Sequence, residues 1–212
     1  MNADKRVSVN MTGKVVGRKD GYTVVETVAI DKKGNEYNTP HNVKAPKGLK
    51  AAYLHVEGHM DVDANGVNFI DPMKCDALDA VANSDCRMNA WVIGEAASNF
   101  IEPKSLKAPT DKKPFGVASV KIGERFQRGI VFNNLIAIFR ENLKAGALIR
   151  LAGRIQYREY EKPDTGEKRT VCEIICDNNY TEVLKASSRK SPFSFSADDI
   201  MVGINKKSEG AF

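Results

Sequence analysis

Two residue pairs stand at spacings that could do metal chemistry. His55 and His59 are spaced H-x3-H, and Cys172 and Cys176 are spaced C-x3-C. On a helix the first spacing puts two imidazoles on one face, as zinc requires. Here the histidines flank Gly58 in a segment that reads as a strand, where that geometry is lost. The cysteines resemble half a zinc site, but no second Cys/His pair follows at finger-like spacing. On a strand, positions 172, 174 and 176 share one face, and small thiols beside Ile174 suit a core. The chain has no Gly-x-x-x-x-Gly-Lys phosphate loop and no Gly-x-Gly-x-x-Gly after a strand. No nucleophile–base pair or carboxylate cluster stands out either. The reading is therefore a non-catalytic protein with no metal and no cofactor.

Composition limits the rest. Of 212 residues, 42% are hydrophobic and 28% charged, close to a globular average, so a packed core is expected. No window reaches the ~18 apolar residues of a membrane span, and the opening MNADKRVSVN lacks the apolar stretch of a signal peptide. Cys75, Cys86, Cys172 and Cys176 are too scattered for a disulfide framework. These features predict a soluble cytoplasmic protein without membrane contact. The net charge of +5 is unevenly spread: residues 1–87 hold 12 Lys+Arg against 12 Asp+Glu, and residues 88–185 hold 16 against 12. That local excess suggests a polyanionic partner.

The elements that must position any such site are mostly strands. Val7, Val9 and Met11 alternate with polar residues, Tyr22 to Ile30 is rich in β-branched residues, and Leu54–Gly58 and Val67–Ile70 flank a turn at Ala64-Asn65-Gly66. From residue 88 the same pattern returns at Trp91–Gly94, Val117–Ile122, Gly129–Phe132, Leu148–Tyr160 and Thr170–Cys176. One helix interrupts it, Asn134 to Lys144, apolar-periodic and closed by Ala145-Gly146.

The two halves also resemble each other. Leu49-Lys50-Ala51 and the following strand through Gly58 align with Leu143-Lys144-Ala145 and the strand through Gly153, with one single-residue gap. Each copy then turns at Asn65-Gly66 or Thr165-Gly166 before a last apolar strand. A glycine inside a strand marks a bulge or bend, which is how a short sheet curls into a barrel. Five strands with a helix between the third and fourth is the layout of an OB-fold, a Greek-key barrel that commonly binds single-stranded nucleic acid. The predicted fold is all-β: two tandem OB barrels over 5–75 and 88–185, the second with its helix between strands 3 and 4. Residues 76–87 serve as a connector, and the Ser-rich stretch 186–212 is a flexible tail.

The second half resembles the bacterial-type single-stranded DNA-binding protein family over most of 88–185. Met88-Asn89-Ala90-Trp91-Val92-Ile93-Gly94 is similar to the family's first strand, and Pro114 to Ile122 to its second. Phe126 to Phe132, continuing through Leu143-Lys144-Ala145-Gly146, fits the third strand and helix. Leu151 to Tyr160, a glycine-containing hairpin and Val171 to Ile175 follow the last two strands. Where the family carries a long basic hairpin between strands 2 and 3, this chain has only Gly123-Glu124-Arg125. The tail holds Asp198-Asp199-Ile200 and a terminal Phe212, with Lys206 and Lys207 between, in place of the family's acidic tip that recruits replication proteins. The first barrel reads as a degenerate copy.

The resemblance implies non-catalytic coating of single-stranded DNA in replication, recombination or repair. It also implies a homo-oligomer, partners recruited through the tail, and a nucleoid-associated location, or the host cytoplasm if the chain is phage-encoded. Phe126 and Phe132 match positions of base-stacking aromatics and, six apart on a strand, share a face. Tyr160 matches another, and Trp91 is a first-strand candidate. Tyr157 has the opposite parity to Tyr160, so without a bulge one of the two faces the groove. Lys121, Arg125, Arg128, Arg154 and Arg158 supply the positive charge. Phe100, Phe115 and Phe139 are expected in packing. The alternatives are a protein–protein adaptor or oligomerisation module of a replication complex, and an RNA-binding OB protein.

Overall fold

The structure is a computed structural model and describes residues 6–31, 33–102, 114–161 and 165–187. The expectations for Asp198-Asp199-Ile200 and Phe212 fall outside these residues. By contacts the chain divides into two compact units, Met1–Val92 with Gly153–Cys172, and Ile93–Ala152 with Glu173–Phe212.

In the first unit, five strands close into a ring. β1 (Val7–Lys19) pairs antiparallel with β2 (Tyr22–Ile30) and with β4 (Tyr53–Val62), β2 pairs with β3 (Glu36–Val43), and β4 pairs with β5 (Asn68–Leu78). A parallel contact at Val43 and Ile70 joins β3 to β5 and closes the barrel. Val7, Val9 and Met11 point inward with Val25, Val43, Leu54, Val56 and Ile70, all nearly or fully buried. The period of two in the sequence is thus the inward face of a closed sheet. The register of β4 on β5 shifts between Glu57 and Gly58. A Cβ at Gly58 would collide with the backbone of Asp71 and Pro72, so the strand glycine marks a bulge where two backbones approach closely.

Strand β3 is absent from the pattern reading. Its sequence, Glu-Tyr-Asn-Thr-Pro-His-Asn-Val, is polar and contains Pro40, and it is held by an eight-residue register with β2. The stretch expected as a connector is attached to this same unit. β5 runs on to Leu78, Val28 N donates to Cys86 O at 2.6 Å, Thr12 N donates to Arg87 O at 2.9 Å, and the Cys86 side chain is buried. Residues 88–91, at the start of β6 (Met88–Glu95), pair antiparallel with β1.

The second set of strands follows the order β6-β9-β10-β8-β7. β7 (Phe115–Ile122) and β8 (Arg125–Phe132) form a hairpin with Gly123 and Glu124 as its turn. β10 (Lys168–Cys176) runs parallel to β8, with Ile174 opposite Gly129. Third and fifth strands thus meet in parallel in both rows, the connectivity of an OB barrel. The aligned repeat falls on β4 and on β9 (Leu148–Glu161), the fourth strand of each row. A short β11 (Glu182–Lys185), which the pattern reading lacks, pairs with β9. The fold is two tandem OB barrels.

Helix α1 (Asn134–Asn142) lies between the third and fourth strands of the second row, as expected. It ends two residues early: Leu143 is already extended, and the chain reverses at Gly146, φ 82°. Leu135, Ile136 and Phe139 are its buried face, and Phe139 meets the Phe100 ring edge-on at 5.8 Å. Both rings pack as predicted. Strand β9 crosses between units at Ala152/Gly153, so residues 153–172 cluster with the first unit, whereas the sequence reading places them in the second barrel.

Candidate nucleic-acid interface

On the β7–β8 hairpin, strand alternation sorts the side chains onto two faces. Gln127, Gly129 and Val131 point inward; a Cβ at Gly129 would meet Leu151 and the Cys176 sulfur. Phe126, Arg128, Ile130 and Phe132 occupy the other face, so the two predicted rings share a side. Opposite them on β7 stand Lys121, Ser119, Val117 and Phe115 respectively. Phe126 is 59% exposed, and directly opposed Lys121 is also exposed. At that pairing side chains stand ~5 Å apart at Cβ, so the ring and the lysine stem leave the sheet side by side on one face.

Phe132, half-buried, has its ring centroid 6.3 Å from that of Phe115. Phe115 is 41% exposed, which corrects the expectation that it packs inside. Its pairing with Phe132 puts it on the outward face of the hairpin, at the first residue of β7. Gly116 beside it has no room for a side chain because the Phe100 ring covers it.

The cations on this hairpin differ in availability. Arg125 is exposed next to the turn. Arg128 lies 3.6 Å from Glu173 on neighbouring β10, with 14% and 3% of the two side chains exposed. A guanidinium facing a carboxylate at that burial is largely neutralised, so exposed Lys121 is the cation better placed to meet phosphate.

The other predicted residues belong to the first unit. Trp91 projects from β6, 39% exposed, between buried Ala90 and Val92. On β9, half-buried Arg154, Arg158 and Tyr160 share one parity. Tyr157, of the other parity, turns its hydroxyl to His41 Nδ1 at 3.3 Å, while His41 Nε2 is 2.9 Å from the Thr27 hydroxyl. Burial lowers the His41 pKa to about 3 and pushes the Tyr157 phenol far above the ordinary tyrosine range. Both rings are therefore neutral, and half-buried Tyr160 takes the other parity of β9. A concavity of about 450 Å³ beside them is lined from β3 by Tyr37 and Asn38 and from the β9–β10 arm by Arg154, Gln156 and Glu159. The nine predicted residues thus divide, five on the hairpin and four in the first unit.

The pairs with metal-like spacing sit elsewhere. His55 Nδ1 is 3.0 Å from the Thr12 hydroxyl and its Nε2 is 3.3 Å from Glu57. Cys176 is buried against Gly129, and burial pushes its thiol up to about 12. Among the described residues no three His, Cys, Asp or Glu side chains converge as a metal site would need.

Residues 122–181 match the single-strand binding protein family. The match begins at the last residue of β7 and takes in β8, α1, β9 and β10, including the strand that carries Phe126 and Phe132. Among solved structures, wild-type single-stranded DNA binding protein from Thermus aquaticus is similar over 87% of this chain and 96% of its own, with a TM-score of 0.60 and 13% identity. A deletion mutant of the same protein is similar over 88% and 97%, with a TM-score of 0.58 and 14% identity. At such identity the likeness is one of fold, and its coverage takes in both barrels. No curated protein matches. The family resemblance read from five ordered strand motifs therefore stands; the first barrel lies outside the matched residues, yet its strands close into a ring. Among the described residues no helix is long and apolar enough to cross a membrane.

Proposed function

We propose that the chain binds single-stranded DNA without catalysis and coats it during replication, recombination or repair. The observation that carries this reading is the β7–β8 face, where exposed Phe126 stands against Lys121 and Phe132 against Phe115 within the family-matched region. Sequence-independent binding needs flat rings for bases, worth ~1–3 kcal/mol each, and cations that release counterions from phosphates. This face offers both. A two-residue turn between β7 and β8 leaves no long finger to wrap the strand, so the grip is by platform. The protein acts stoichiometrically: occupied strand cannot reanneal. It works in the cytoplasm as a homo-oligomer, and its four unbridged cysteines suit a reducing compartment. Recruitment of replication or repair proteins belongs to the tail.

Fluorescence polarisation of labelled oligo-dT at two salt concentrations tests the proposal on the full chain. Single strands bind ahead of duplex of equal length, and log K falls with log salt by ~0.7 for each phosphate neutralised. Preference for duplex, or affinity indifferent to salt, contradicts it.

A further inference from the structure

We infer that the concavity on β3 and the β9–β10 arm is a second binding subsite, which takes a single nucleotide of the strand with its phosphate on Arg154 and its base on Tyr37. The inference deepens the single-strand reading and rests on it. It concerns residues of the first unit, apart from the β7–β8 platform.

Arg154 is the starting point. It is half-buried on β9, follows Gly153 and precedes fully buried Ile155, and lines the concavity. It makes no hydrogen bond or ion pair with any described residue. A guanidinium loses hydration when partly buried and recovers it only through an anion or acceptors. Burial indeed lowers its pKa, with no neighbouring charge opposing that effect. Other basic residues on this chain are differently placed: Arg140 is held by Glu102 at 2.7 Å, Arg150 by Glu182 at 2.6 Å, and Lys74 by Asp76 at 3.0 Å. Among the described residues Arg154 alone joins partial burial, a concave site and lack of a described partner.

The remaining walls describe the rest of the ligand. Tyr37 is 51% exposed, and its hydroxyl donates to Asp31 at 3.2 Å, which pins the ring at one edge and leaves a face to stack on. Asn38 and Gln156 add amides that both donate and accept, as a base edge requires. The volume, about 450 Å³, lies within the ~300–1,000 Å³ of small-ligand sites. Glu159 also lines the wall, so the site sums to no net charge. With a single guanidinium the site can meet one phosphodiester, and the Glu159 carboxylate on the same wall repels a polyphosphate.

Photo-crosslinking of the full chain to oligo-dT carrying one 5-iododeoxyuridine, read by mass spectrometry, is combined with salt titrations of Arg154→Gln and Arg154→Lys. A crosslink at Tyr37, with the salt slope of Arg154→Gln reduced by ~0.7 and restored by Arg154→Lys, is the expected result. Because Arg154 has no described partner, the thermal midpoint of Arg154→Gln matches that of the parent protein. Tight oligo-dT binding with crosslinks only at β8 rings, and an unchanged slope in Arg154→Gln, overturns the subsite and leaves the single-strand reading intact. Absence of any oligo-dT binding by the full chain overturns both.

Discussion

The Tyr157 hydroxyl lies 3.3 Å from Nδ1 of His41, and the two rings tilt at 56° with centroids 5.6 Å apart. The contact joins β9, from late in the chain, to β3, from its start. Thr27 holds the other ring nitrogen at 2.9 Å, so the imidazole is enclosed by neutral partners and is 1% exposed.

Stability therefore depends on pH through His41. Its folded pKa, about 3, is below the ordinary 6.5, so the unfolded chain takes up the proton first. The stabilisation is complete above pH 6.5 and is lost as pH falls from there toward 3. The slope is ~1.4 kcal/mol per pH unit. Urea denaturation from pH 7 to 5, above most carboxylate titration, shows that slope in the parent protein. In His41→Gln it is smaller by about that amount.

The pair Arg128–Glu173 predicts a different signature. Glu173→Gln leaves a guanidinium facing a neutral group at 14% exposure and costs ~3–5 kcal/mol. Replacing both, Arg128→Met with Glu173→Leu, recovers most of that loss, because neither charge is then stranded. Denaturant midpoints of Arg128→Met, of Glu173→Leu and of the two combined check this. Equal losses in all three contradict the pairing.

Gly58 tests the bulge. Adding one methyl, Gly58→Ala, drives a Cβ into the backbone of Asp71 and Pro72, and the strands must part. A loss of ~1–3 kcal/mol follows from such overpacking. The same change at Gly17, where a Cβ meets nothing within 4 Å, leaves stability within ~0.5 kcal/mol.

How far the sequence reached can be judged at particular residues. Val7, Val9 and Met11, and Leu135, Ile136 and Phe139, announced their elements because a period of two or of 3.6 is a local property. Strand β3 did not, since Asn38, Pro40 and Asn42 carry no apolar alternation and the strand exists through its register with β2. The shared face of Phe126 and Phe132 followed from parity. The exposure of Phe115 depends on its pairing with Phe132, a cross-strand register that its own segment does not encode. The partnership of Arg128 with Glu173, and the placing of Arg154 beside Tyr37, depend on which strands become neighbours, which spacing along one strand does not encode.

The most direct measurement is the affinity of the full chain for oligo-dT at fixed salt, before and after Phe126→Ala with Phe132→Ala. Two lost rings at ~1–3 kcal/mol each predict a weakening on the order of 2–6 kcal/mol. Phe126→Ala alone already weakens binding while the melting temperature stays put, since that ring is 59% exposed. Unchanged affinity in the folded double variant would contradict the β7–β8 face as the platform for bases.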